Sequence, residues 1–193
     1  MKYILSILMI VGLTLSSYSK SKEVGENIDV THYEIHLNEI NVADRIIDAT
    51  TIITLKTLTS IDGIELELKS LDVTSVTSDD AIINNFSQNG DVLSVTFGNT
   101  VTANTTISLT VNYGGTTFNE NWGGIHWSND YVYNLGVGFD SQPHNLGKTW
   151  FPCVDNFTDK ASFDLYITYP DNMLSSCGGL LSATTDNGDG TKT

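Results

Sequence analysis

The sequence runs to 193 residues and carries 23 Asp and Glu against 9 Lys and Arg, a formal net charge of -14. Such a balance repels phosphate backbones and anionic lipid headgroups, so nucleic-acid binding and attachment to a membrane surface are not expected. The acidic side chains are dispersed rather than gathered into a run, which argues against an acidic tail.

In chain order, the first feature is Lys2 followed by an apolar run from Tyr3 to Leu15 and the small-residue pattern Ser17-Tyr18-Ser19. That is the layout of a secretory signal peptide, residues 1–19, with cleavage expected near Ser19. The run is shorter than the roughly 20 apolar residues of a membrane helix. The mature chain, residues 20–193, is therefore expected off the membrane, secreted or periplasmic. It is long enough for one domain with its own core and too short for two.

Past the signal, helical periodicity is absent and period-two alternation recurs. Tyr33, Ile35 and Leu37 alternate with His32, Glu34 and His36, and Ile52, Ile53 and Leu55 form a less regular run. Ile64, Leu66 and Leu68 come next, then Leu93, Val95 and Phe97, then Ile107, Leu109, Val111 and Tyr113. Each set reads as a strand with one face in a core. Turn signals at Asp62-Gly63, Asn89-Gly90-Asp91 and Gly114-Gly115 separate them. Residues 116–147 have no steady period and read as long loops with one short strand near Tyr131 to Leu135. Phe163, Leu165, Ile167 and Tyr169 alternate again. Leu180-Leu181-Ser182-Ala183-Thr184 begins a strand, and an Asn187-Gly188-Asp189-Gly190 hairpin turn follows with no strand returning from it. The expected fold is an all-β antiparallel sandwich with long loops and its final strands missing.

The candidate chemistry is thin. His32-Tyr33-Glu34-Ile35-His36 looks superficially like the zinc pattern H-E-x-x-H, but its glutamate is at the midpoint and the segment reads as a strand. Along a strand the two histidines stand about 13 Å apart, too far for one zinc, so they are expected on a polar outer face. Asp186 to Gly190 lacks the spacing and closing glutamate of a calcium loop. Trp122, Trp127, Trp150, Tyr131 and Tyr133 offer either a sugar-stacking platform or, the commoner arrangement, buried tryptophans anchoring loops. Cys153 and Cys177 are the only cysteines; a Cys153–Cys177 bridge and free thiols both remain open.

One stretch carries a resemblance. Gln142-Pro143-His144, Trp150-Phe151-Pro152-Cys153-Val154-Asp155-Asn156 and Asp159-Lys160-Ala161-Ser162-Phe163-Asp164 together resemble the N-terminal domain of the gluzincin zinc aminopeptidases, the family of aminopeptidase N and leukotriene hydrolase. Asp29 to Leu37, Leu66 to Val76 and Val111-Asn112-Tyr113-Gly114-Gly115 look like weaker pieces of the same domain. The resemblance implies a β-rich domain that forms one wall of a substrate cleft, with zinc and the catalytic groups in a second domain. The H-E-x-x-H and G-x-M-E-N motifs of that second domain do not occur in this sequence, so no catalytic or metal residue and no zinc is assigned to this chain. Family members commonly show Gln-x-Glu where Gln142-Pro143-His144 stands, holding the amino group of the substrate. The resemblance thus assigns substrate binding to Gln142 and His144, and His144 cannot attract an ammonium group as a carboxylate does. Taken whole, the sequence reads as the non-catalytic first part of an exported zinc aminopeptidase, whose peptide substrate is met through the catalytic domain. Alternatives are a stand-alone secreted binding module for glycan or protein, or an inactive remnant.

Overall fold

The structure, a computed structural model, describes residues 23–193. The signal segment and its cleavage position lie outside the described residues. Thirteen strands and a single 3-10 turn make up the regular structure of the described residues. The first strand, β1 (Ile28–Asn41), shows how the sequence fixes its own register. A bulge between Val30 and His32 resets the alternation, so Ile28, Val30, Tyr33 and Ile35 are all buried. β2 (Ile46–Thr57) and β7 (Thr106–Thr116) pair antiparallel with β-branched residues on both faces, which suits a pleated, half-buried surface.

A five-stranded sheet has the order β11-β1-β2-β7-β4, where β4 is Asp72–Thr77 and β11 is Ser162–Ile167. A three-stranded sheet of β3 (Ile61–Glu67), β6 (Val92–Val101) and β5 (Ile83–Asn89) packs on it. Ile35, Ile53, Leu55, Leu109 and Val111 from the first sheet share one core with Ile64, Leu66, Leu93, Val95 and Phe97 from the second. Sandwich and core residues agree with the alternation in the sequence. The pair β1/β11 does not follow the all-antiparallel expectation: it is parallel, Tyr33 beside Phe163 and Ile35 beside Leu165. A long connection across residues 136–161 carries the chain back to the starting end of the sheet, as a parallel pairing requires.

Residues 116–147 hold more order than their irregular period suggests. β8 (Asn119–Glu120), β9 (Gly123–Ser128) and β10 (Tyr131–Leu135) form a small antiparallel sheet. Only β10 was legible as a strand, because Gly123 and Gly124 hide β9. At Gly123 a Cβ would meet Leu146 Cδ1 at 2.5 Å and the Gly138 backbone at 2.7 Å, so close approach selects glycine there.

At the end of the chain, β12 (Tyr169–Pro170) pairs with β13 (Thr191–Lys192). Asp186 to Gly190 is the expected hairpin turn: Gly188 N donates to Asp186 Oδ1 at 2.9 Å and Thr191 N to Asp189 Oδ1 at 3.0 Å. Leu180 to Thr184, read as the start of a strand, is not one; Leu180 and Leu181 are 99% and 86% exposed. A strand needs a partner for its backbone, and no backbone hydrogen bond joins residues 178–184 to the other described residues.

Candidate functional site

The segment of residues 147–155, which contains the F-P-C-x-D residues, is built into the end of the sandwich from three directions. From β1, Tyr33 reaches in and its hydroxyl oxygen accepts from Val154 N at 3.1 Å. From β7, the Tyr113 hydroxyl donates to Trp150 O at 2.9 Å and takes a further bond from Thr51 Oγ1 at 3.0 Å. From β3, the Glu67 and Cys153 backbones exchange two hydrogen bonds of 2.7 and 3.0 Å. Burial pushes both tyrosine hydroxyls well above the ordinary phenol range, so each stays a neutral hydroxyl.

A compact ion cluster fastens the same segment. Lys148 Nζ lies 2.6 Å from Glu67 Oε1 and 3.9 Å from Asp155 Oδ2. Asp155 also accepts from the Gly147 and Lys148 backbone N–H groups at 3.3 Å each. Burial works against the Lys148 charge, but the bond to Glu67 and the carboxylates of Glu67 and Asp155 outweigh it and raise its pKa. Within this shell Cys153 is buried, and burial, then the charges of Asp155 and Glu67, hold its thiol well above the ordinary range. Cys153 is thus a packed, unreactive thiol. Cys177 lies exposed in the irregular 171–184 stretch, and the two are not bridged.

Immediately before this anchored segment, residues 136–146 form a tight surface loop. Gly138 N donates to His144 O at 2.8 Å and Leu146 N to Gly136 O at 2.9 Å. Asn145 is buried and its amide donates to Asp155 O, tying the loop to the anchor. The loop displays Gln142 and His144 side by side at the surface, joined by a cis Gln142-Pro143 peptide. His144 Nδ1 is 2.8 Å from Gly138 O and its Nε2 is 3.2 Å from Gln142 Nε2. A carbonyl oxygen only accepts, so Nδ1 carries the proton and Nε2 of the neutral ring receives the Gln142 amide. The two residues assigned by resemblance are therefore brought together as a neutral donor and acceptor pair.

Sequence reasoning missed Glu120. Its Oε2 accepts from Ser141 Oγ at 2.6 Å and its Oε1 from Asp140 N at 2.9 Å. The Ser141 hydroxyl and these backbone bonds hold its carboxyl below the ordinary range, so a fixed negative charge underlies the loop. No local motif marks it, since its partners lie about twenty residues on. The aromatic side chains divide: Trp127 is half-buried, with Nε1 donating to Thr117 Oγ1 at 2.8 Å, and Trp150 packs on the core. Trp122 departs from the buried-anchor expectation; it is 63% exposed and meets Phe139 edge-on at 6.2 Å.

His32, Glu34 and His36 stand on the outer face of β1 as the alternation requires. His32 Nδ1 is 2.8 Å from Ser162 Oγ, and His36 Nε2 is 2.7 Å from Glu34 Oε1 while its ring stacks on Tyr166 at 4.3 Å. These imidazoles are engaged with their sheet neighbours. Among the described residues no group of three or more His, Cys, Asp or Glu is placed to hold a metal ion.

Residues 29–193 match the peptidase M1 N-terminal domain. The chain belongs to that family. Among curated proteins nothing matches the sequence. Among solved structures, an M1 zinc metallopeptidase mutant of Deinococcus radiodurans bound to a Tyr-Ser-Ala substrate superposes with a TM-score of 0.72 at 23% identity, over 86% of this chain. A two-domain M1 zinc metallopeptidase mutant bound to L-tryptophan gives 0.74 at 22% identity, again over 86%. At such identities the likeness is one of fold. The chain spans 38% of the length of each of these structures.

Proposed function

We propose that this chain is the non-catalytic first domain of an exported zinc aminopeptidase, preceded by a signal peptide at residues 1–19. Gln142 and His144 line one wall of its substrate cleft. The observation that carries the reading is the coupling of the two segments: a rigid anchor at residues 147–155 fastens a short loop that presents two polar side chains at the surface. A side chain that orients a peptide terminus must be held to within a few tenths of an ångström, and the Asn145–Asp155 and Lys148–Glu67 contacts supply that stiffness. The likeness to M1 enzymes solved with a tripeptide and with a free amino acid supports short peptides with a free N-terminus as the substrate class.

The Gln142–His144 pair offers an amide and a neutral imidazole where a carboxylate would attract an ammonium group. Orientation by hydrogen bonding is what this wall contributes; the attack on a peptide carbonyl needs a metal-activated water or an equivalent nucleophile from elsewhere. Residues 20–193, purified and assayed with aminoacyl chromogenic substrates and added zinc, should show no turnover above a heat-denatured control. Zinc-dependent hydrolysis lost on chelation would overturn the non-catalytic assignment.

A second reading has one observation in its favour. Trp122, Tyr131, Tyr133 and Phe139 are 63%, 59%, 44% and 70% exposed, which suits a stand-alone module that stacks on glycan rings or grips a protein. Glycan-array binding abolished by Trp122→Ala would favour it over the peptidase reading.

A further inference from the structure

The His144 ring is held on three sides. Its Nδ1 is 2.8 Å from Gly138 O, its Nε2 is 3.2 Å from Gln142 Nε2, and Phe139 meets it edge-on with ring centres 6.5 Å apart. Gly138 is a fixed partner. Its own N–H donates to His144 O at 2.8 Å, and a Cβ there would meet Leu146 Cδ1 at 2.6 Å and the Glu120 carboxylate, so its backbone is packed closely against the rest of the loop.

That fixed carbonyl sets a direction which the ring passes outward. A carbonyl oxygen has no proton to give, so Nδ1 of the neutral ring carries one and Nε2 is left as a lone pair. The lone pair accepts the NH2 group of Gln142 and repels its carbonyl oxygen, which leaves one orientation of an amide that is otherwise free to turn over. Gln142 is exposed, and its Oε1 takes no hydrogen bond from any other described residue. With the nitrogen tied inward, that oxygen is presented to solvent as an acceptor.

We propose that His144 is a positioning residue, which leaves the substrate untouched and pins the Gln142 amide so that Oε1 faces outward as the acceptor for the ammonium group of a peptide N-terminus. The inference rests on the reading above that this loop lines a substrate wall. Both ring nitrogens of His144 are engaged, so neither is left for a ligand. Gln142 keeps one free acceptor, which suits a group that only donates. An ammonium has three donors and no acceptor, whereas an acylated terminus has one N–H, no charge and a carbonyl oxygen beside it.

Nuclear magnetic resonance on the isotope-labelled chain tests the pin first. Long-range nitrogen–proton correlations should show His144 as the Nδ1–H tautomer, a measurement that needs no variant. His144→Asn keeps a donor towards Gly138 but has nothing in place of Nε2, and the Gln142 NH2 protons should then exchange with water about 5-fold faster. His144→Glu, an acceptor-only side chain with the reach of Nε2, should restore the slower rate. Slow backbone amides at Ile53 and Leu109 identify folded variants. An Nε2–H tautomer, or Gln142 protons indifferent to His144→Asn, overturns the pin and leaves the substrate-wall reading standing. Tyrosinamide, which has a free ammonium group, is then titrated against N-acetyl-tyrosinamide. The first should shift the Gln142 side-chain signals, the second should not, and His144→Asn should weaken the response about 5-fold. Equal responses to the two ligands overturn the acceptor and the substrate-wall reading together, with the tautomer left in place.

Discussion

Two segments that flank β11 share a composition of small, polar and scattered apolar residues, yet they end in opposite states. Residues 147–155 are held by β1, β3 and β7 through two tyrosine hydroxyls, a backbone exchange and a three-membered ion cluster. Residues 171–184 have Leu174, Leu180 and Leu181 almost wholly in water. The difference lies not in hydrophobicity but in whether an element already in place offers partners. The side chains that reach the segment from outside it, Tyr33, Tyr113 and Glu67, come from strands that pair without help from the segment they hold.

That contrast can be broken most forcefully at the ion cluster. Glu67→Ala leaves the part-buried Lys148 ammonium with Asp155 as its remaining carboxylate at 3.9 Å, and urea denaturation should show a loss of about 2 kcal/mol. Exchanging the whole pair, Glu67→Gln with Lys148→Met, should restore part of it, because the uncompensated ammonium is gone while Asp155 keeps the Gly147 and Lys148 backbone N–H groups. If the single variant costs nothing, the cluster does not anchor the segment.

A second, somewhat smaller effect comes from alkali. Cys153, Tyr33, Tyr113 and Lys148 all have pKa values raised by the fold. A raised value means the folded state keeps a proton that the unfolded chain gives up, so their contribution is complete below the unfolded values and declines above them. Stability should hold near neutrality and fall as pH rises past about 8.5 for the thiol and about 10 for the phenols and the amine, by about 1.4 kcal/mol per pH unit for each group engaged. Thermal melts between pH 7 and pH 11 would show it, and Cys153 should react with a thiol reagent only where the melt has begun. Cys177, exposed, should react throughout.

Much of this was legible from periodicity, because β1, β2, β3, β6 and β7 each bury one clean face: the alternating residues Tyr33, Ile35, Ile64, Leu66, Leu109 and Val111 are core residues. β9 escaped because its buried face includes two glycines, which carry no hydrophobic signal. The parallel placement of β11 escaped because alternation reports a face and not a direction. At the candidate site the resemblance located Gln142 and His144, but their mutual contact and the Glu120 bracket depend on pairings across a loop that no local pattern encodes. Glu67 read as a solvent-facing strand residue, and only the arrival of Lys148 from 81 residues away gives it a partner.

Tyr33→Phe sharpens the comparison at the scale of one bond. It removes the acceptor for Val154 N, a buried donor, without opening a cavity, and should cost about 1–2 kcal/mol. Leu180→Ser with Leu181→Ser forms the opposite control. Both side chains are solvated, so in residues 20–193 the double change should stay within about 0.5 kcal/mol of the parent, although it removes two leucines where the tyrosine variant removes one oxygen. A loss as large as that of Tyr33→Phe would mean that residues 178–184 already pack on the fold. The two results together separate side chains that hold this fold from those that do not: hydrogen bonds from paired strands stabilise the anchor, whereas leucines with nothing opposite them stabilise nothing.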